Sequence, residues 1–182
     1  MFIALEGIDG TGKSTLCSIL SERLGANSYA TPPKKYLALR EQVDKDASAE
    51  ERYHFYKDGV YDASNEIQIM LASGRDVICD RYWLSTYTCH QVMGVKVLRE
   101  DFTSVVIPTL TVILSLNKDI QAKRILCRGI STGDKRLLNQ QQELSTAFYQ
   151  NALEFNISFV IIDTQNFSPE ACAEIVIKAV GF

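Results

Sequence analysis

The sequence predicts an α/β domain in which a five-stranded parallel sheet lies between helices in a three-layer arrangement. Short apolar runs alternate along the chain with longer amphipathic stretches, which is typical of parallel strands covered on both faces. A glycine-rich turn joins the first apolar run to the first amphipathic stretch. The 182 residues contain no internal repeat, low-complexity tract or linker, so we expect one domain over residues 1–182.

Five runs are predicted to be strands because each is short, largely apolar and bounded by turn-forming or charged residues. Pro32 and Pro33 end the second run, and Gly74 and Arg75 precede the third. In chain order the strands are Phe2–Leu5, Asn27–Ala30, Val77–Cys79, Leu110–Leu116 and Phe159–Ile162.

The stretches between these strands are predicted to be helices, because their apolar residues recur at helical spacing. The first repeats leucine and isoleucine on one face, Gly74 closes the third, and Pro169 opens the last. In chain order they are Lys13–Leu24, Tyr36–Asp44, Ala49–Ser73, Trp83–Val92, Lys118–Cys127, Leu138–Phe155 and Pro169–Val180.

Composition excludes several functional classes. The formal net charge of -3 provides no basic field for a nucleic-acid partner. No apolar run reaches the roughly 20 residues that cross a bilayer, and the N-terminus lacks a secretory pattern. An odd number of cysteines without a C-x-x-C pair favours reduced thiols. We therefore expect a cytoplasmic protein with no membrane or nucleic-acid partner.

Residues Gly7–Ser14, GIDGTGKS, fit the phosphate-loop pattern G-x-x-x-x-G-K-[ST] in full. Glycines let the backbone N–H groups curl around phosphate oxygens, and the helix that follows adds its N-terminal dipole. Lys13 is expected to reach the β- and γ-phosphates, and the Ser14 hydroxyl to bind Mg²⁺. The predicted ATP-binding residues here are Gly7, Asp9, Gly10, Thr11, Gly12, Lys13, Ser14 and Thr15.

Two other classes that use this loop are disfavoured. A GTPase needs N-K-x-D after a later strand, but LNKDI has Ile120 where the aspartate belongs. A motor or large ATPase needs a longer chain than this one.

Asp80 and Arg81 follow the third strand, at the sheet edge where open α/β folds bind ligands. Asp80 can hold the water shell of a metal opposite Ser14, and Arg81 can fork onto an acceptor phosphate. An ordinary ion pair at the end of the strand is the alternative interpretation.

FIALEGIDGTGKST together with DRYWLST closely resembles the thymidylate kinase family of nucleoside monophosphate kinases. RILCRGISTGDKR resembles that family's lid, at about residues 128–137, and AFYQNALEF resembles the helix after it. The resemblance implies a P-loop kinase fold, a homodimer, and Mg²⁺-dependent transfer of a phosphoryl group from ATP to a nucleoside monophosphate.

The same resemblance assigns roles to individual residues. Asp9 matches the acid that reads the acceptor 3′-hydroxyl, and Phe55 matches the aromatic that stacks on the acceptor base. Thr11 stands where some members carry a catalytic arginine, so the charge is expected from the lid. The catalytic set implied is Lys13, Asp80, Arg124, Arg128 and Arg136, with Arg128 also against adenine. The acceptor set is Asp9, Arg40, Phe55, Gly59 and Arg81, and the metal set is Ser14 and Asp80.

The chain departs from the thymidylate kinase pattern around the acceptor. The family's REPG stretch is replaced by ATPPKKY, where Lys34, Lys35 and Arg40 are the nearby cations. Gly59 occupies the place of the arginine that hydrogen-bonds thymine. The Pro-Pro pair, FYKDGVYDASNEI and DRYWLST resemble instead the mitochondrial-type UMP–CMP kinase branch of the superfamily.

Four functions remain open from the sequence. The preferred one is a pyrimidine nucleoside monophosphate kinase with dTMP as acceptor, and UMP or CMP (dUMP or dCMP) is the alternative acceptor class. A deoxynucleoside kinase shares the fold but has a different phosphate-loop sequence. A non-catalytic nucleotide-binding protein conflicts with the intact Lys13, Ser14 and Asp80.

Overall fold

The computed structural model describes residues 1–128 and 140–181, and of residue 128 only the backbone. Five parallel strands form one sheet in the order β2-β3-β1-β4-β5. The strands are β1 (Phe2–Gly7), β2 (Asn27–Ala30), β3 (Val77–Asp80), β4 (Leu110–Ser115) and β5 (Phe159–Asp163). The predicted fold class is confirmed.

Seven α-helices of the described chain connect and cover these strands. They are α1 (Lys13–Leu24), α2 (Leu37–Asp46), α3 (Ala49–Ala72), α4 (Trp83–Val92), α5 (Lys118–Arg128), α6 (Gln141–Glu154) and α7 (Pro169–Ala179). Ser48 begins α3 with a capping box: its hydroxyl accepts from the Glu51 N–H, and the Glu51 carboxylate accepts from the Ser48 N–H.

Two hydrophobic cores lie between the layers, one on each face of the sheet. On one face of the sheet α1 and α7 pack together over β1 and β4, burying residues such as Leu20, Ile162 and Val176. On the other face α3, α4 and α6 enclose an aromatic core that includes Trp83 and Phe148. Because strand residues point alternately to the two faces, β1 contributes to both cores, and it is buried throughout its length.

The predicted elements are confirmed with small differences at their ends. β1 continues two residues beyond the prediction to Gly7, so the strand runs directly into the phosphate loop. Tyr36 belongs to a 3₁₀ turn over Lys34–Tyr36, and α2 begins after it. The 3₁₀ turn at Arg99–Phe102 was not predicted. The predicted lid lies outside the described residues, apart from the backbone of residue 128.

Within the part of the chain that the structure describes, no helix is both long enough and apolar enough to cross a membrane.

His90 is buried on α4 between the rings of Tyr53 and Tyr56, and its Nδ1 lies 2.7 Å from the Thr86 carbonyl oxygen. Burial lowers the pKa of His90 to about 4, from an ordinary value near 6.5. Between these values only the unfolded chain takes up the proton, so the contribution of His90 to stability falls as the pH drops from 6.5 to 4. In this range His90 lowers the free energy of unfolding by up to about 1.4 kcal/mol for each pH unit of acidification.

We expect His90→Gln to weaken this acid-side loss of stability, measured by urea denaturation at pH values from 7 to 4.5. Burial raises the pKa of Glu6 to about 7, which favours the folded state as the pH falls. Wild type and His90→Gln both contain Glu6, so its contribution cancels when the pH dependence of their stabilities is compared. The exposed His54, changed to glutamine, is the matched control. Equal pH dependence in wild type and His90→Gln would contradict the prediction.

Candidate active site

The phosphate loop lies between the end of β1 and the start of α1. Gly7 adopts a φ of +124°, and a Cβ at this position would lie 2.3 Å from the Leu114 carbonyl oxygen. Only glycine therefore lets β1 approach β4 this closely as the chain enters the loop. Thr11 is buried inside the loop, and its hydroxyl donates to the Ile8 carbonyl at 2.9 Å.

Lys13 folds back over the loop. Its Nζ donates to the carbonyl oxygens of Gly7 at 3.1 Å and Ile8 at 2.7 Å, and the residue is 6% exposed. Burial, and after it the charge of Arg81, lower the pKa of Lys13 to about 7. An anion bound in the loop favours the charged ammonium, so this lysine is suited to phosphate.

Ser14 and Asp80 meet at the carboxyl end of β3, where the Ser14 hydroxyl donates to Asp80 Oδ2. Both groups offer hard oxygen atoms, which fit Mg²⁺. Within residues 1–128 and 140–181 there is no cluster of three or more His, Cys, Asp or Glu side chains placed for a metal. Mg²⁺ in such sites is held by one or two protein oxygens together with substrate phosphates, and this pair fits that mode.

Arg81 lies across the entrance of the loop. Its Nη2 donates to Asp9 Oδ1 at 2.6 Å and its Nη1 donates to the Gly7 carbonyl at 2.9 Å. The Asp9 charge keeps the pKa of Arg81 raised despite burial of the guanidinium. The structure thus brings Asp9 and Arg81, two of the five predicted acceptor residues, into contact with each other and with the phosphate loop.

Arg124 on α5 bridges the phosphate loop and the segment after β5. Its Nη1 lies 3.4 Å from the Gly10 carbonyl, and its Nη2 lies 3.3 Å from the Thr164 carbonyl. Beside it is a cavity of about 270 Å³. The lining is Gly10, Thr11, Gly12, Thr15, Leu16, Leu114, Arg124, Thr164, Phe167, Pro169 and Cys172.

Phe55 and Arg40 lie on neighbouring helices, α3 and α2. The Phe55 ring makes edge contacts with Tyr36 at 5.2 Å and with Tyr56 at 5.4 Å between ring centroids. Arg40 Nε donates to the Tyr56 hydroxyl at 3.2 Å and pairs with Asp44 at 3.6 Å. These contacts tie Arg40 to its own helix pair, and no described contact joins it to the phosphate loop.

Gly59 is buried against the loop after β2. A Cβ at this position would lie 2.9 Å from Pro32 Cβ, closer than real side chains approach. Pro32 therefore occupies the space into which a side chain from position 59 would extend. The glycine at position 59 and the Pro-Pro pair are two departures from the thymidylate kinase pattern, and this contact links them: with Pro32 in place, there is no room for an arginine side chain at position 59.

We expect Gly59→Ala to destabilise the protein by about 1–2 kcal/mol, because the overpacking against Pro32 outweighs the higher helix propensity of alanine. Urea denaturation measures the difference. In a Pro32→Gly background the same substitution should be neutral or stabilising, since the obstructing Cβ is gone. A stabilising Gly59→Ala in the wild-type background would show that the contact is not tight.

Of the predicted site residues, the structure joins Lys13, Ser14, Asp80, Arg81 and Asp9 around one loop and places Arg124 at its rim. The Arg128 side chain and Arg136 lie outside the described residues. Sequence reasoning missed Glu6, Ser85, Gln121 and Thr164. Gln121 Nε2 donates to the Asp9 carbonyl at 2.7 Å and to Gln141 Oε1 at 2.7 Å. Ser85 was detectable, because it stands only four positions after Arg81 in DRYWLST.

A parallel sheet of this order with a complete phosphate loop, and an aspartate–arginine pair at its edge, defines a P-loop kinase of nucleosides or nucleotides. The family model described as thymidylate kinase matches residues 5–175. A probable thymidylate kinase of Archaeoglobus fulgidus is 31% identical over 191 residues, covering 96% of this chain and 92% of that protein. The chain therefore belongs to the thymidylate kinase family, whose members are ATP-dependent nucleoside monophosphate kinases.

Solved structures agree on the fold. The thymidylate kinase of Candida albicans superimposes with a TM-score of 0.82 at 18% identity, covering 98% of this chain and 90% of that one. A deoxyadenosine kinase from M. mycoides with bound dATP gives a TM-score of 0.74 at 18% identity, covering 100% of both chains. At these identities the likeness establishes the shared fold alone.

Proposed function

We propose that this protein transfers the γ-phosphoryl group of ATP to a pyrimidine nucleoside monophosphate, with dTMP as the acceptor. An oxygen of the acceptor phosphate forms a bond to the γ-phosphorus while the bond to the β,γ-bridging oxygen breaks, releasing ADP and the nucleoside diphosphate. The observation that carries the proposal is the Arg81–Asp9 pair, which meets the donor phosphate loop at Gly7. Family membership supports dTMP.

Each group has a distinct part in this reaction. Lys13 stabilises charge on the transferred phosphoryl group, and Arg81 holds the acceptor phosphate. Asp9 accepts a hydrogen bond from the acceptor 3′-hydroxyl, and Phe55 stacks on the acceptor base. Ser14 and Asp80 hold Mg²⁺, which when bound neutralises charge on the ATP phosphates.

The cavity beside Arg124 is proposed to bind the adenine of ATP. Its apolar lining includes Phe167 and Pro169, and it opens next to Gly10 and Gly12 of the phosphate loop. Because Thr11 supplies no charge, the proposed catalytic cation comes from Arg124, Arg128 or Arg136 at the lid. Single alanine variants of these arginines distinguish them: the catalytic one lowers kcat most while the KM for ATP changes less.

A second acceptor class, UMP and CMP with their deoxy forms, is supported by one observation. Pro32 packs against Gly59, so this position offers no hydrogen bond to a base. A pocket built around such a bond discriminates strongly, and one without it must select the base by other contacts. The Pro-Pro pair and Gly59 are also among the sequence features that resemble the mitochondrial-type UMP–CMP kinase branch.

An ADP-release assay over dTMP, dUMP, dCMP, UMP, CMP and AMP, with ATP and Mg²⁺, tests the proposal. Turnover fastest with dTMP is expected, and EDTA should abolish it. Fastest turnover with UMP or CMP would establish the second class, and faster phosphorylation of thymidine than of dTMP would indicate a deoxynucleoside kinase. No turnover with any acceptor at millimolar concentration would overturn kinase activity. Light scattering on the same sample tests the proposed homodimer.

A further inference from the structure

Arg81 uses only part of its hydrogen-bonding capacity within the protein. Its Nη1 donates to the Gly7 carbonyl at 2.9 Å and to Ser85 Oγ at 3.1 Å, and its Nη2 donates to Asp9 at 2.6 Å. A guanidinium carries five N–H donors. Among the residues that the structure describes, the Nε–H and the second Nη2–H have no acceptor. Nε and Nη2 share one edge of the planar group, and on this edge the Nε–H is left to donate to an anion.

Glu6 sets the direction of the Ser85 hydroxyl. Glu6 is 1% exposed at the end of β1, where its Oε1 accepts from the Tyr82 N–H at 3.1 Å and its Oε2 accepts from the Ser85 hydroxyl. A hydroxyl has a single proton, and this one is committed to the carboxylate. In the ionised form of Glu6 the Ser85 lone pairs are therefore left to accept from Arg81, and the negative partner strengthens them as acceptors.

The backbone at Arg81 needs such support. Its φ is +65°, a left-handed conformation that costs a residue with a side chain about 1–2 kcal/mol. The Arg81 N–H donates to the Leu5 carbonyl at 2.9 Å, and its carbonyl accepts from the Thr31 hydroxyl at 3.1 Å. Glu6 fixes the next two contacts along the chain, at Tyr82 and Ser85. The turn from β3 into α4 is thus anchored to the end of β1.

We propose that Glu6 and Ser85 are positioning residues for the acceptor phosphate: they hold the Nη1 corner of Arg81 so that its Nε–Nη2 edge faces the substrate. This inference rests on the proposed function, in which Arg81 holds that phosphate. Glu6 and Ser85 act through Arg81 and do not touch the substrate themselves. Their substitution is therefore expected to weaken binding of the acceptor phosphate more than binding of its nucleoside part.

Calorimetric binding of dTMP and of thymidine to Ser85→Ala and Glu6→Gln tests this specificity. Both variants should bind dTMP about tenfold more weakly, the effect of one hydrogen bond to a charged group. Thymidine affinity and the KM for ATP should change less than twofold. Ser64→Ala is the matched control, because Ser64 is also buried and its hydroxyl accepts from the Val106 N–H at 2.9 Å. This control should leave dTMP affinity unchanged.

A double-mutant cycle with Arg81→Lys separates positioning from general packing. A lysine cannot present a two-nitrogen edge, so Ser85→Ala should cause no further loss of dTMP affinity in that background. An additive loss would overturn the positioning role, as would equal weakening of dTMP and thymidine by Ser85→Ala. If Glu6→Gln fails to fold, the Ser85 comparisons decide the question alone.

The outcomes also separate this inference from the proposed function. Wild-type turnover of dTMP with unchanged dTMP affinity in Ser85→Ala would overturn the positioning role and leave the kinase activity intact. Absence of wild-type turnover with every acceptor would overturn the proposed function itself.

Discussion

Lys13→Ala is expected to lower kcat by about 10²- to 10³-fold or more, because it removes a preorganised positive charge from the transferred phosphoryl group. The buried Lys13 ammonium already lies in the phosphate loop, held by the carbonyls of Gly7 and Ile8. A steady-state ADP-release assay with saturating ATP and acceptor measures the loss. Because the charge matters most in the transition state, the effect on kcat should exceed the effect on ATP affinity.

The control for this substitution is Lys178→Ala, which removes an exposed lysine from α7, at a residue that does not line the described cavity. It should retain wild-type turnover. Circular dichroism and urea denaturation establish that Lys13→Ala is folded. Turnover within tenfold of wild type in a folded Lys13→Ala protein would show that the loop does not supply the charge for transfer.

The sheet and the donor half of the site were predictable from sequence because their signals are local. A buried parallel strand is a short apolar run. The phosphate loop is a contiguous pattern whose glycines let the backbone curl around phosphate. Asp80 and Arg81 followed from the same logic, since residues directly after a strand lie at the ligand-binding edge of the sheet.

The supporting residues could not be predicted in the same way because they act across long separations in the chain. Glu6 contacts Ser85, 79 positions later, and Gln121 contacts Asp9, 112 positions earlier. Ser85 stands close to Arg81 in the sequence, but nothing in the residue types around Glu6 and Gln121 distinguishes a buried support from an ordinary core or surface residue. The contact between Gly59 and Pro32 also joins residues that are distant in the chain. In the sequence these residues were two separate departures from the thymidylate kinase pattern, and only the structure shows that they pack against each other.

Arg81→Ala is expected to lower kcat/KM for the acceptor by about 10²- to 10³-fold, while the KM for ATP changes only a few-fold. Two effects combine in this loss. The acceptor phosphate loses a bidentate partner, and Asp9 loses the cation that lies 2.6 Å from its carboxylate. Arg81→Lys keeps the charge but not the fork, so it should recover less than a tenth of the lost activity.

The matched control for Arg81 is Arg23→Ala, because Arg23 also forms an ion pair, with Glu174, but at the surface between α1 and α7. Its kinetics should equal those of wild type. Varying the acceptor concentration at saturating ATP, and then the ATP concentration at saturating acceptor, assigns the defect to one substrate.

If Arg81→Ala leaves both kcat and the acceptor KM untouched, the acceptor phosphate binds elsewhere. Lys34 and Lys35, the lysines after β2, are then the cations to test next. If the defect falls on ATP instead, Arg81 belongs to the donor side, and the Asp9 pairing then orients the phosphate loop and not the acceptor.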